Sequence, residues 1–237
     1  MKHPCLRILT ATTLACLLSG CERKLSTDFV CRLPAKEAAK FASPELKLVS
    51  PEFAAGYFPP SYAENGFACG KSCRPIFGDY ESVIYPAYLE AASEESLYKL
   101  SRRPISGEDY SLRFTWLRTF HHPVVIRVER KGESFTMTAK ELSGQGGYEP
   151  GKVQRTVKRS LATASAHQLQ TSLDSKGLFD EPPSDCGFNL DGSQWLFEIA
   201  DQNGYRMVKR SSPREGSAHD VGMFLIDLTG WQFGEIY

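Results

Sequence analysis

The sequence has no excess of charge of either sign. Its 237 residues include 28 Lys and Arg residues and 28 Asp and Glu residues, and basic residues nowhere form a dense run. Proteins bind nucleic acid largely through clustered basic side chains that neutralise phosphates, and a balanced surface produces no long-range field that would attract it. We therefore expect no nucleic-acid partner.

Sequence motifs of common enzymes and cofactor sites are also lacking. No Gly-x-Ser-x-Gly sequence, typical of a hydrolase nucleophile, is present. The glycine-rich run 144–151 lacks the Gly-Lys-Ser/Thr ending of a phosphate-binding loop and precedes a predicted strand instead of a helix. We interpret this run as a tight, glycine-dependent connection that carries an anchored Tyr148, and we expect no cofactor.

The first 20 residues have the three parts of a secretion signal. Lys2 and Arg7 provide a positive start, an apolar stretch covers 8–18, and small residues precede a cleavage point. The apolar stretch is shorter than the ~20 residues that a membrane-spanning helix needs. We predict that 1–20 are removed, which leaves 26 basic and 28 acidic residues in the mature chain.

The end of this signal resembles the lipobox of bacterial lipoproteins. The four matching positions are Leu18, Ser19, Gly20 and Cys21. The resemblance implies that Cys21 becomes the mature N-terminus and carries a diacylglycerol thioether, whereas Cys16 has a poorer context. Acyl chains anchor proteins to membranes because each buried methylene contributes about 0.8 kcal/mol. The expected location is the bacterial envelope, and Glu22 favours the periplasmic face of the outer membrane.

Four cysteines remain in the mature chain when Cys21 is set aside. They are Cys31, Cys69, Cys73 and Cys186. An even number in an oxidising compartment favours two disulfides, for which three pairings are possible. Three residues separate Cys69 from Cys73, unlike the two of a thioredoxin-like site, and neither Cys31 nor Cys186 has a neighbouring zinc ligand. We predict structural disulfides and no metal.

The distribution of prolines divides the mature chain into two parts. Within 21–108, prolines interrupt every candidate element, so that only short helices fit, at 35–41 and around 87–100. Within 109–237, apolar residues alternate as in strands. The sequence predicts an α+β domain, an antiparallel sheet with about two helices on one face, preceded by an irregular region that disulfides staple.

Individual strands of this domain follow from the alternation. Leu112, Phe114 and Trp116 alternate with polar residues, as in a half-buried strand. Apolar residues in 124–128 and 135–139 alternate on either side of Lys131-Gly132 and predict a hairpin. The stretch 153–161 is predicted to form a further strand.

Two helices follow from their end signals. Ser165 and Gln168 predict a capping box at the start of the first helix, which ends at Gly177. The second begins near Ser217 or Asp220 and stops at Gly230.

The dipeptide Asn203-Gly204 predicts a two-residue type I′ turn between two strands. This turn would place Glu198 opposite Lys209 as a surface ion pair. Trp195 would lie on the buried face of the same strand. We therefore expect Trp195 to matter for stability and Glu198 hardly at all.

Two candidate sites have weaker support. His121 and His122 could act as general bases or metal ligands near Glu141, but adjacent residues on an extended chain point to opposite faces. Asn189, Asp191 and Glu198 have the spacing of an EF-hand loop, but Gly187 stands where an acidic ligand is needed. We favour structural roles for all of them.

Three motifs carry a second resemblance. They are Trp116-x-x-x-Phe120-His121-x-Pro123, Gly144-x-Gly146-Gly147-Tyr148 and Asp191-Gly192-x-x-Trp195-x-x-Glu198. On these motifs, 110–230 resembles a family of uncharacterised proteobacterial proteins, and this implies no particular activity. The leading hypothesis is a non-enzymatic envelope lipoprotein whose C-terminal domain binds a periplasmic protein partner. The alternative is a periplasmic hydrolase or metal-dependent enzyme that uses His121, His122 and Glu141.

Overall fold

A computed structural model describes residues 30–32, 56–69, 72–187 and 191–237. The predicted signal peptide, Cys21 and the helix predicted at 35–41 lie outside these ranges. None of the helices in the described part of the chain is long and apolar enough to cross a membrane.

Most elements in the described residues of the N-terminal part are short, but the helix Asp79–Ala91 has 13 residues and contains Pro86, so the expectation that only short helices fit there is wrong. They are β1 (Val30–Arg32), α1 (Ser61–Glu64), β2 (Asn65–Cys69), β3 (Ser72–Pro75), α2 (Asp79–Ala91) and α3 (Leu97–Leu100). The three strands form a small antiparallel sheet in the order β1-β2-β3.

A six-stranded antiparallel sheet forms the centre of the molecule. Its strands are β4 (Tyr110–Arg118), β5 (Val124–Lys131), β6 (Ser134–Leu142), β7 (Val153–Ser160), β8 (Ser193–Asp201) and β9 (Gly204–Ser211). They lie in the spatial order β7-β6-β5-β4-β8-β9. The hairpin predicted around Lys131-Gly132 and the strand predicted at 153–161 are both confirmed.

Two helices cover one face of this sheet, and they confirm the predicted α+β class. They are α4 (Thr163–Lys176) and α5 (Gly216–Thr229), and each is followed by a glycine with positive φ, Gly177 at 59° and Gly230 at 70°. Leu169 of α4 and Val221 of α5 are fully buried in one core with Trp116 and Trp195 of the sheet.

The opposite face of the sheet is covered by the N-terminal part. Tyr88 and Leu89 of α2 pack against Leu117, Val125 and Leu196 in a second core. As a result, β4 is buried along its whole length. The expectation of a half-buried strand is therefore wrong, because α2 and the segments beside it shield the face that the alternation assigns to solvent.

Helix α2 differs from its predicted position at 87–100. It begins at Asp79, continues through Pro86 and ends at Ala91, and the separate helix α3 follows. The Glu81 carboxylate accepts a hydrogen bond from Gly78 N at 2.9 Å and satisfies the amide that precedes the helix. Burial of α2 against the sheet compensates for the hydrogen bond that proline removes, since tertiary packing supplies most helix stability.

The predicted start of α4 is also wrong. Helix α4 starts at Thr163 after Ala162, with no side-chain cap, in place of a capping box at Ser165 and Gln168. Its start is set by the preceding strand, because Leu161 N donates to Phe135 O at 2.9 Å and the chain turns directly afterwards.

The β8–β9 turn lies one residue earlier than predicted. Asp201 pairs with Gly204, so the turn residues are Gln202 and Asn203, and Asp201 Oδ1 accepts from Asn203 N at 2.8 Å. In this register Glu198 faces Met207. The predicted Glu198–Lys209 ion pair is therefore wrong.

The four cysteines form two disulfides, Cys31–Cys73 and Cys69–Cys186, which confirms the predicted disulfide staples. The second bond joins residues 117 apart in sequence and ties β2 to the chain before β8. In the chain-entropy model, a bond that closes so long a loop contributes about 4–5 kcal/mol.

We expect non-reducing peptide mapping of the mature protein to recover these two linked pairs and no free thiol. Reduction should lower the melting temperature, and Cys186→Ser should lower it somewhat more than Cys31→Ser, because its bond closes the longer loop and the stabilisation grows only with the logarithm of loop length. Cys31→Ser is the matched control, since its bond spans 42 residues within the N-terminal part. Recovery of a Cys69–Cys73 pair would contradict the fold.

Candidate functional site

A cleft lies at the end of the large sheet where β4 ends and β8 begins. It has a volume of about 720 Å³. Its walls are the first half of α2, the glycine-rich run 144–151, the segment 184–187 and the sheet end itself. We call it the aromatic cleft, after Phe67, Tyr80, Tyr85 and Tyr148, which line it.

The glycine-rich run forms one wall of the cleft by packing directly on the chain after β4. A Cβ atom at Gly146 would lie 2.5 Å from Arg118 N, and one at Gly147 would lie 2.9 Å from Thr119 Cγ2. Gly146 N donates to Arg118 O and Gly147 N to Thr119 O. These glycines are needed for close approach, as the sequence predicts, and their amides are engaged within the protein.

Aromatic rings stand exposed at the mouth of the cleft. Tyr80 is 46% exposed and Tyr148 52% exposed, so the prediction that Tyr148 is anchored holds only for its backbone, whose N–H donates to Gln145 O at 3.0 Å. The Tyr80 hydroxyl donates to Gly147 O at 3.0 Å. Burial, and then the neighbouring Tyr148, raises the pKa of Tyr80, which keeps this hydroxyl a donor.

The floor of the cleft holds a neutralised pair of charges. Glu81 Oε1 accepts from Lys209 Nζ at 2.6 Å and from the Tyr85 hydroxyl at 2.9 Å. Lys209 also donates to Ile76 O at 3.0 Å. Burial raises the pKa of Tyr85 well above its ordinary value, and Glu81 raises it further. The cluster ties α2 to β9 and leaves little net charge at this point.

A second, more polar cleft of about 980 Å³ adjoins the first and shares Asp191 and Gly192 with it. Phe120 lines the second cleft, and the centroid of its ring lies 6.3 Å from that of Tyr148, which lines the aromatic cleft. Of the five large hydrophobic side chains exposed in the described ranges, four line these clefts: Tyr80, Phe120, Tyr148 and Ile236. Such clustering is typical of interaction sites, since isolated exposed hydrophobics scatter over a surface.

The structure gives His121, His122 and Glu141 separate partners. His121 Nδ1 lies 2.7 Å from the Tyr237 hydroxyl, and His122 Nδ1 lies 2.8 Å from Gly144 O. Glu141 is buried and pairs with Arg155 at 2.8 Å. Within the described ranges, no group of three or more His, Cys, Asp or Glu side chains is placed to hold a metal ion. The metal-dependent form of the alternative therefore has no geometric support among the described residues.

The EF-hand spacing does not correspond to a calcium loop in the described residues. Residues 188–190, which include Asn189, lie outside the described ranges, and the helix that should follow is replaced by β8. Glu198 has another partner altogether. It is fully buried, and its two oxygens accept from Arg113 Nε and Nη2 at 2.8 Å each.

Arg113 and Glu198 form the centre of a buried polar network between the sheet and the N-terminal part. Arg113 Nη1 donates to Glu95 O at 2.7 Å, and the Tyr205 hydroxyl donates to Glu198 Oε1 at 2.8 Å. Burial raises the pKa of Tyr205 well above its ordinary value, and Glu198 adds to this. None of these groups lines either of the two clefts, and we therefore assign them the role of fixing how the N-terminal part docks on the sheet.

Sequence reasoning found the glycine-rich run but missed Tyr80, Glu81, Tyr85 and Lys209. The first three belong to α2 and Lys209 to β9; Glu81 and Lys209 are 128 positions apart in sequence and meet only when α2 docks on β9. The available signal was the glycine-rich run itself, because close backbone packing at Gly146 and Gly147 marks a site where two segments meet.

Comparison with protein-family models gives no match. A search of curated protein sequences finds no similar protein either.

Proposed function

We propose that this protein is a non-catalytic binding protein of the bacterial envelope, which is anchored by lipid on Cys21 and holds a ligand in the aromatic cleft. The cleft, its exposed tyrosines and the hydrogen bond of the Tyr80 hydroxyl carry this proposal. Ligand sites typically enclose about 300–1,000 Å³ and combine apolar walls with a few polar groups. The aromatic cleft has this size and composition.

The two disulfides support a location outside the cytoplasm. Disulfides persist in oxidising compartments such as the periplasm and are rare in the reducing cytosol. Two of them, together with the signal-like residues 1–20 and the lipobox-like sequence that ends at Cys21, fit export followed by lipid attachment.

Replacement of Cys21 by Ala is expected to move the protein from the membrane fraction to the soluble fraction of cells. The acyl chains, and not the folded part, supply the attachment in this proposal. Membrane fractionation followed by immunoblotting measures the result. Cys16→Ala is the matched control and should stay in the membrane fraction. The reverse outcome for the two variants would show that lipid is attached at Cys16.

Replacement of Tyr148 by Ala is expected to weaken ligand binding by about tenfold or more without lowering stability, because the half-exposed Tyr148 ring lines the cleft. A ligand at about 100 times its dissociation constant stabilises a protein by about 2.7 kcal/mol, so a thermal-shift panel of oligosaccharides, peptides and nucleotides should identify compounds that raise the melting temperature of the unaltered protein. Val153→Ala is the control, because Val153 is 39% exposed on β7, away from the cleft. A panel in which no compound raises the melting temperature would refute the binding function.

A further inference from the structure

We infer that the ligand of the aromatic cleft is an uncharged oligosaccharide. This inference rests on the proposed binding function and names the chemistry of the ligand. It follows from how the rings are held, from the polar groups beside them and from the state of the backbone around the cleft.

Of the two exposed tyrosine rings, Tyr80 is fixed by a hydrogen bond and Tyr148 lies beside a second aromatic ring. The Tyr80 hydroxyl is bonded to Gly147 O, and the Tyr148 ring packs near that of Phe120 at 6.3 Å. Apolar surface left in water is unfavourable by roughly 25 cal/mol for each Å². The negative face of an aromatic ring attracts C–H groups, and the flat C–H face of a pyranose ring matches such a surface.

Polar side chains with paired hydrogen-bonding atoms lie beside these rings. Asp191 and Arg74 are exposed in the cleft, and Gln194 lies at its sheet end. Carboxylates offer two acceptor oxygens, and guanidinium groups offer several donors in a fixed plane. Such groups suit the vicinal hydroxyls of a sugar, which present a donor and an acceptor at each position.

The charge of the cleft also favours a neutral ligand. Lys209 and Glu81 neutralise each other at 2.6 Å on its floor, and Asp185 Oδ2 is engaged by Ser211 N at 2.8 Å. The cleft therefore has no concentration of one sign that would attract a strongly charged ligand.

An extended peptide fits this cleft less well. Peptides that add to a sheet pair with free backbone groups at its edge. The edge of β9 beside the cleft is already occupied, because Lys209 N donates to Pro183 O at 2.8 Å. The amides of Gly146 and Gly147 are engaged as well. These three backbone groups are therefore not available to pair with a peptide, whereas the exposed rings and side chains of the cleft can contact a sugar.

The test is isothermal titration calorimetry on the mature lipidated protein, purified in a detergent without a sugar headgroup. The probes are chitotriose, cellotriose and maltotriose, and three nonapeptides of neutral, acidic and basic composition serve as the competing class. We expect at least one trisaccharide to bind and none of the peptides. Tyr148→Ala should weaken that binding by about tenfold or more, since tenfold corresponds to the loss of one good contact.

Two further variants separate loss of the site from loss of the fold. Tyr80→Phe keeps the ring but removes its bond to Gly147 O, and it should weaken sugar binding while leaving the melting temperature unchanged. Val153→Ala should leave binding unchanged. Peptide binding without sugar binding, or sugar binding that Tyr148→Ala does not affect, would overturn the inference but not the binding function. Absence of binding by all six probes, together with a thermal-shift panel without effect, would overturn both.

Discussion

Replacement of Glu198 by Gln is expected to lower the free energy of unfolding by about 3–5 kcal/mol, because it removes one charge of a buried ion pair. Arg113 and Glu198 are both fully buried and joined by two hydrogen bonds of 2.8 Å. A glutamine amide accepts with one oxygen only and turns an NH2 group toward the guanidinium donors. Whole domains are stable by only about 5–15 kcal/mol, so the loss would be a large share.

Chemical denaturation of purified protein measures this effect. Glu108→Gln is the matched control, because the Glu108 carboxylate is 75% exposed where it pairs with Arg130, and exposed pairs contribute about 0–1 kcal/mol. Equal denaturation midpoints for the two variants would show that Arg113 does not depend on Glu198. This prediction reverses the expectation from sequence that Glu198 is a surface residue.

Replacement of Trp195 by Ala is expected to lower the free energy of unfolding by a similar amount, about 3–5 kcal/mol. The Trp195 ring is fully buried, and its centroid lies 5.2 Å from that of the Phe114 ring and 6.0 Å from that of the Trp116 ring. It also occupies the space above Gly222 of α5, where a Cβ atom would come within 2.1 Å of the ring. Its removal would leave a cavity between the sheet and α5.

The indole N–H of Trp195 adds to this expectation. It donates to Ser193 Oγ at 2.8 Å and to Tyr237 O at 3.1 Å, so truncation also removes partners from buried acceptors. Phe120→Ala is the control for loss of an aromatic ring. Because Phe120 is half exposed, the melting temperature of this variant should differ little from that of the unaltered protein. A small change in the free energy of unfolding of Trp195→Ala would contradict the prediction and would mean that α5 moves to fill the cavity without loss of stability.

The β5–β6 hairpin and the C-terminal ends of α4 and α5 were predictable because their signals are local. Alternation of apolar residues placed the hairpin of β5 and β6, and glycine placed the ends of α4 and α5 at Gly177 and Gly230. The two disulfides also followed from the number of cysteines and the compartment predicted from the sequence. Each of these inferences depends on the chemistry of a few neighbouring residues, which tertiary packing did not override.

The exposed tyrosines of the cleft could not be predicted in the same way. Tyr80 and Tyr148 are 68 residues apart in numbering, and no local pattern distinguishes them from tyrosines of the core such as Tyr88. Only the docking of α2 beside the glycine-rich run brings the Tyr80 hydroxyl to Gly147 O.

The amino-acid sequence by itself determined the α+β class, the order of the strands along the chain and the export-like N-terminus. Tertiary structure alone decided that both faces of β4 are buried, which partner Glu198 has and where the cleft forms. The physical reason is that alternation records whether a side chain is polar, and not what packs against it. Arg113 and Glu198 read as a solvent-facing pattern, yet two opposite charges that satisfy each other's hydrogen bonds can be buried together under the N-terminal part.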